Sequence, residues 1–76
     1  LVAALKKVRL AEARRLGMPP YLIFSDASLE DMARLRPATL EEFGRVNGAG
    51  EVKTQRFGLL FIDAIARFES GSLDIR

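Results

Sequence analysis

The chain predicts an all-α domain, a compact bundle of five short helices, on three observations. Apolar residues recur at helical spacing near both ends, Ser or Thr followed by acids marks helix starts, and Gly and Pro punctuate the stretches between. The one strand-like run, Tyr21-Leu22-Ile23-Phe24, has no second run to pair with, and a lone strand is not stable.

Leu1 to Leu16 is rich in Ala, Leu, Lys, Arg and Glu, with Leu1, Leu5, Val8 and Ala11 or Glu12 on one face, so it forms an amphipathic helix. Gly17 ends it in the left-handed C-cap position. Pro19 and Pro20 forbid continuation and hold residues 21–24 as a buried connector, extended or a single turn. Ser28-Leu29-Glu30-Asp31 has the shape of a capping box and starts a second helix, which runs to about Leu35 and stops before Pro37. Thr39-Leu40-Glu41-Glu42 repeats the device and opens a short helix ending near Arg45. Asn47-Gly48-Ala49-Gly50 breaks the chain. Glu51 to Arg56 resumes as helix, Phe57-Gly58 is a point of kinking or division, and Leu59 to Phe68 is the last helix, with Phe61, Ile65 and Phe68 on one side. Phe24, Phe43, Phe57, Phe61 and Phe68 are the expected core. Ser70-Gly71-Ser72 ends the packed part of a single domain spanning residues 1–76, with its core at about 1–69 and a tail at 70–76.

Seventy-six residues make room for one core but no deep cleft. With no cysteine the chain has no disulfide, zinc–thiolate site or thiol nucleophile, and an intracellular place is expected. With no histidine it lacks the commonest metal ligand and the one side chain that titrates unperturbed near neutrality. A catalytic site would rest on carboxylates, Lys or Ser alone, so a non-catalytic domain without cofactor or metal is expected. No apolar run approaches the ~20 residues that cross a bilayer, and the absent initiator Met suggests an excised piece of a larger protein.

The net charge is only +2, but its distribution is uneven. Lys6, Lys7, Arg9, Arg14 and Arg15 face a single acid, Glu12, in the first segment. Asp26, Glu30, Asp31, Glu41 and Glu42 outnumber Arg34 and Arg36 in the next, and Arg45, Lys53 and Arg56 outnumber Glu51 after that. Such alternation predicts opposed charged regions rather than a uniform field.

Several features stand in one order and spacing: the basic first helix, Gly17-Met18-Pro19-Pro20-Tyr21-Leu22-Ile23-Phe24-Ser25-Asp26, Ser28-Leu29 with Met32-Ala33, Pro37 and Thr39, Val46-Asn47-Gly48-Ala49-Gly50, Lys53, and Phe57-Gly58. This ordered set resembles the HRDC family, the accessory domain found near the C-terminus of RecQ helicases and of RNase D, over about residues 1–69. The resemblance implies a SAM-like orthogonal bundle of five helices, joined by a linker to a helicase or exonuclease core that keeps the ATP and metal for itself. A bacterial RecQ-type DNA helicase is the implied parent, cytoplasmic and nucleoid-associated, with the RNA-binding domain of RNase D as the alternative. It implies weak binding of single-stranded or partly duplex DNA, or docking on other domains of the parent.

Candidate residues follow from both lines. Tyr21, after two prolines, is placed to stack on an unpaired base, as the resemblance also implies; the alternative is a ring packed on the core with its hydroxyl at the surface. Lys6, Lys7, Arg14 and Arg15 offer phosphate contacts or an ordinary solvated face, and the resemblance makes Arg9 structural, paired to Asp26 or another acid. Gly48-Ala49-Gly50 before a helix is either half of a phosphate-binding hairpin, with Lys53 and Arg56 adding charge, or a tight turn. Glu30, Asp31, Glu41 and Glu42 read as first-turn acids that complement helix dipoles, and together form a possible interdomain acidic surface.

Overall fold

The computed structural model describes residues 1–71, so Ser72 and the rest of the expected tail lie outside it. Five helices follow in order: α1 (Val2–Leu16), α2 (Pro20–Ile23), α3 (Asp26–Leu35), α4 (Leu40–Phe43) and α5 (Glu51–Glu69), with no strand among the described residues. α1 packs against α2, α3 and α5, and α4 packs against α5.

α1 ends as its sequence requires. Gly17 sits at φ 68° and donates to the Arg14 carbonyl, while Met18 donates to the Ala13 carbonyl, the paired bonds of a Schellman cap. On its inner face Leu5 and Ala13 are buried, and Leu1, Val8 and Leu16 pack partly on the core; Glu12, rather than the exposed Ala11, turns partly inward.

Residues 20–23 form one helical turn with Pro20 at its first position, where a missing N–H costs nothing. The expectation of a wholly buried connector holds for Ile23 and Phe24 but fails for Tyr21 and Leu22, which are 67% and 45% exposed. One turn of helix has two inner and two outer positions, and only the last residues reach the core.

α3 starts three residues earlier than expected. Ser25, not Ser28, is the N-cap, and its Oγ accepts the Ser28 N–H at 3.1 Å. Glu30 and Asp31 therefore stand in mid-helix and Asp26 is the first-turn acid, which corrects the helix-dipole account of that pair. Ser28 is instead buried, its Oγ 3.1 Å from the Ser25 Oγ. α4 is capped as expected, Thr39 Oγ1 accepting the Glu42 N–H; the Glu42 carboxylate reaches one residue beyond the cap to accept from Ala38 N–H. The expected break at Phe57-Gly58 is absent, and α5 runs unbroken through it. A Cβ on Gly58 would lie 2.7 Å from Leu40 Cδ2, so the glycine there serves the approach of α4 rather than a kink.

The core is aromatic. Phe24, Phe43 and Phe61 are fully buried and Phe57 nearly so, whereas Phe68 is only half-buried. Phe24 meets Phe43, Phe57 and Phe61 edge to face at 5.8, 6.0 and 5.2 Å between centroids. Such pairs each add ~0.5–1.5 kcal/mol beyond the area they bury.

The turn before α5 is clamped onto α3. Asp31 Oδ2 accepts the Asn47 N–H at 2.7 Å, and Gly48, at φ 81°, lies so close to Ser28 that a Cβ would meet its Oγ at 2.5 Å. Ser28 cannot yield, being buried beneath the turn. Gly48→Ala is therefore expected to destabilise the domain by about 2–3 kcal/mol, from left-handed strain plus displacement of a buried hydroxyl. Chemical denaturation checks this; a loss below about 0.5 kcal/mol would contradict the clamp.

Candidate nucleic-acid interface

The contacts of α1 fix what surrounds it. Counting ~100° per residue about its axis, Glu12 comes first and feels the charge of Arg56 on α5. Arg9 follows, donating to the Phe24 carbonyl at 2.9 Å, then Ala13, whose carbonyl receives Met18 N–H, then Lys6, within electrostatic reach of Asp26. Leu10, Arg14 and Lys7 complete the turn on the solvent side. Residues 18–24 thus run back along α1 from the level of Ala13 to that of Arg9. α2 packs on α1, and Phe24, which follows it, reaches Phe57 and Phe61 of α5.

Arg9 makes this arrangement rigid. Its side chain is only 12% exposed, and one nitrogen, Nη1, bonds both the Phe24 carbonyl and the Asp26 carboxylate, the latter at 2.8 Å. The expected pairing with Asp26 is present. Its Nε is buried without a partner among the described residues, a cost that the two Nη1 bonds offset.

Four other arginines are taken up by acids three or four residues away and a fifth, Arg36, by a distant one. Arg15 holds Glu12 through two bonds of 2.9 and 2.6 Å, on the flank of α1 opposite Lys6. Arg34 holds Asp31, Arg67 holds Asp63, Arg36 lies 3.6 Å from Glu69 and Arg45 4.0 Å from Glu41. By contrast Lys6, Arg14, Lys53 and Arg56 have no carboxylate within 4 Å among the described residues. Lys7 is exposed beside Arg14 on the same flank. On α5, Lys53 Nζ stands 5.6 Å from the Phe24 ring centroid and the Arg56 guanidinium 4.9 Å from that of Phe57, cation–π contacts that hold both side chains on the core's edge.

The structure places an exposed Tyr21 on α2, Lys6, Lys7 and Arg14 on the outer side of α1, and Lys53 and Arg56 on α5, while Arg15 is paired to Glu12. Gly48 and Ala49 belong to the packed turn: Ala49 is buried and its N–H bonds the Val46 carbonyl. Of the acids, Glu30 and Glu41 are exposed on α3 and α4, Asp31 is occupied by Arg34 and Asn47, and Glu42 by Ala38. Among the described residues no three carboxylates gather to hold a metal ion, and no helix is long and apolar enough to cross a membrane. Sequence reasoning missed Leu22, which pattern alone had assigned to the core.

Three carboxyls are held below the usual range: Glu12 by its hydrogen bonds from Arg15, Asp26 by that from Arg9 with help from Lys6, and Asp31 by Asn47 N–H and then Arg34. A carboxyl whose pKa falls on folding contributes stability in full above its unfolded value, ~4, and loses it as pH drops through the lower folded value. With no histidine or cysteine, thermal stability is expected to be flat between about pH 5 and 8 and to fall steeply below about 4. Asp31→Asn should flatten that acid limb. Arg9→Met leaves the buried Phe24 carbonyl without its donor and is expected to cost about 2 kcal/mol in a denaturant titration.

A family model for the HRDC domain matches residues 1–65. The chain is 38% identical over 65 residues, 86% of its length, to the ATP-dependent DNA helicase RecQ of Haemophilus influenzae, and 34% identical over 68 residues, 90% of its length, to that of Bacillus subtilis. It is also 34% identical over 53 residues, 70% of its length, to the bifunctional 3'-5' exonuclease/ATP-dependent helicase WRN of Mus musculus. The matched stretches make up 10%, 12% and 4% of those proteins, so the chain spans about a tenth of its bacterial relatives. With that match over most of its length, relatives above 30% identity and five helices in one bundle, the chain belongs to the HRDC domain family.

Proposed function

We propose that this domain is a non-catalytic accessory module of a RecQ-type DNA helicase, binding single-stranded or partly duplex DNA weakly and modulating how the parent engages its substrate. One observation carries the reading: Tyr21 is held out to solvent by a turn that two prolines and a buried Phe24 stiffen, in a domain whose Lys6, Arg14, Lys53 and Arg56 have no carboxylate within 4 Å among the described residues. Aromatic stacking on an unpaired base contributes ~1–3 kcal/mol without sequence preference. Lys6, Lys7, Arg14, Lys53 and Arg56 supply phosphate contacts along the strand. ATP, its metal and the motor belong on this reading to the parent's core, in the cytoplasm with the chromosome. The relatives being helicases favours that parent over RNase D.

A second reading, docking on another domain of the parent, draws on Glu30 and Glu41, both exposed and the first without an ion pair among the described residues. Asp31 and Glu42 are engaged in capping and clamping, which leaves this acidic surface thinner than the sequence suggested.

Fluorescence anisotropy with a labelled single strand separates the two. Direct binding predicts micromolar or weaker affinity whose logarithm falls with log salt at a slope of about −2 to −3, three or four contacts at ~0.7 each. Tyr21→Ala is expected to weaken binding at least fivefold and Arg14→Glu to weaken it and reduce the slope, whereas Arg15→Ala, already ion-paired and on the far flank, changes little. No binding at low salt refutes this reading.

A further inference from the structure

α5 is apolar on two opposite sides. Counting ~100° per residue about its axis, Phe57, Phe61 and Ile65 point into the core, and Val52 and Leu59 point almost directly away from it. Those two are 69% and 68% exposed, well above any other aliphatic side chain among the described residues. A surface helix ordinarily carries one apolar stripe and a polar opposite face, so the outer side of α5 has no partner within the domain. Val52 and Leu59 stand seven residues apart, and the exposed Ala66 stands seven further on. Apolar residues scattered singly over a surface need no explanation, but a seven-residue repeat keeps one line of side chains facing a neighbouring helix.

The charges beside this line say what the neighbour is. Arg56 and Asp63 lie on the same edge of it, displaced by ~30–50°, one three residues before Leu59 and the other four after. We propose that the outer face of α5 is a self-association surface, on which α5 of a second copy of this domain docks antiparallel about a two-fold axis at the level of Leu59. Leu59 then meets Leu59 of the second copy, and the larger Val52 meets the small Ala66. Arg56 of each copy comes within ~1.5 Å of the level of Asp63 of the other, on the same side of the contact. Each contact occurs twice, as an isologous interface requires. A parallel pair would put the two charged edges on opposite sides and form no such ion pairs. Both charges can respond. Arg56 has no carboxylate within 4 Å among the described residues and rests on the Phe57 ring at 4.9 Å. Asp63 is joined to Arg67 at 3.0 Å through Oδ2, which leaves its other oxygen to accept. Arg56 is also one of the proposed phosphate contacts, and self-association stands whether or not DNA binds. A single helix face buries an area at the low end for specific complexes, so the expected dissociation constant is of order 0.1–1 mM.

The chain has no cysteine, so single-cysteine variants report the contact directly. Under mild oxidation Leu59→Cys is expected to form a covalent dimer about tenfold faster than Val52→Cys, although the two sites are almost equally exposed. Only residue 59 meets itself across the axis, whereas the two copies of residue 52 stand ~21 Å apart along it. A mixture of Val52→Cys with Ala66→Cys should link well faster than either alone. In sedimentation equilibrium at about 1 mM the wild type should show an average mass above the 8.4 kDa of one chain, and Leu59→Glu should return it to that value. Arg56→Glu and Asp63→Arg should each weaken association about tenfold, and an equimolar mixture of the two should recover it, because each charge then meets its opposite. Circular dichroism confirms that each variant is folded, as expected for exposed positions. A wild type that keeps the mass of one chain, or association that survives Leu59→Glu, overturns this surface. Equal linking rates for Leu59→Cys and Val52→Cys, or a charge-reversed mixture no stronger than its components, overturn the antiparallel pairing.

Discussion

Phe24 is fixed at both ends, and the rest of the domain is arranged around that. Its ring lies edge-on to Phe43, Phe57 and Phe61, which come from α4 and α5, and its carbonyl is bound by Arg9 of α1. One residue in the link between α2 and α3 therefore ties that link to α1, α4 and α5. The backbone bond matters as much as the ring. A carbonyl at a buried chain bend has no helical partner, and leaving it unmet costs ~1–3 kcal/mol. Arg9 meets it and, through the same nitrogen, holds Asp26 at the start of α3, so the α2–α3 link is anchored from α1 on two successive elements.

That anchoring explains how a four-residue helix can carry function. An isolated single turn is not stable, since nucleating a helix fixes several dihedrals for one hydrogen bond. α2 persists because Pro19 and Pro20 remove backbone freedom before it and Ile23 and Phe24 are buried after it. Tyr21 and Leu22 are then presented on a stiff support, and little ordering entropy remains to be lost when they meet a ligand. The buried Ser28 beneath Gly48 plays the equivalent part on the other side of the domain, holding the start of α5, and with it Lys53 and Arg56, against α3.

Helix ends governed by the backbone were legible in the sequence, and those governed by tertiary contact were not. Gly17 and Pro37 end helices for reasons internal to the chain. Ser25 and Ser28, by contrast, are equally competent caps by local pattern, and the choice falls to Ser25 because Arg9 draws Asp26 into the first turn and the Gly48 turn packs on Ser28. Gly58 carries the local signature of a break yet lies inside α5, because its missing side chain is used by Leu40. The same division holds for the candidate site. That α1 is basic is plain from composition, but that Arg15 is consumed by Glu12 while Arg14, one residue earlier, is not depends on which flank each occupies. Leu22 escaped notice because a run of four apolar residues does not reveal that only its second half reaches the core.

Neutralisation by neighbours shapes the field of this domain more than its net charge does. Ion pairs three or four residues apart quench Arg15, Arg34, Arg45 and Arg67 locally, and being exposed they add little to stability. Their electrostatic consequence is larger, because they leave the cations without a near carboxylate on α1 and α5. With screening over ~8–10 Å at physiological ionic strength, those charges act at short range, which on the proposed DNA-binding reading limits affinity. Weak binding of this kind gains force when the module is tethered to a partner already on DNA, where a short flexible linker supplies an effective concentration of order millimolar. On that reading, a domain that bound tightly alone would hold the strand in place, whereas one that binds weakly can bias a moving enzyme without stopping it.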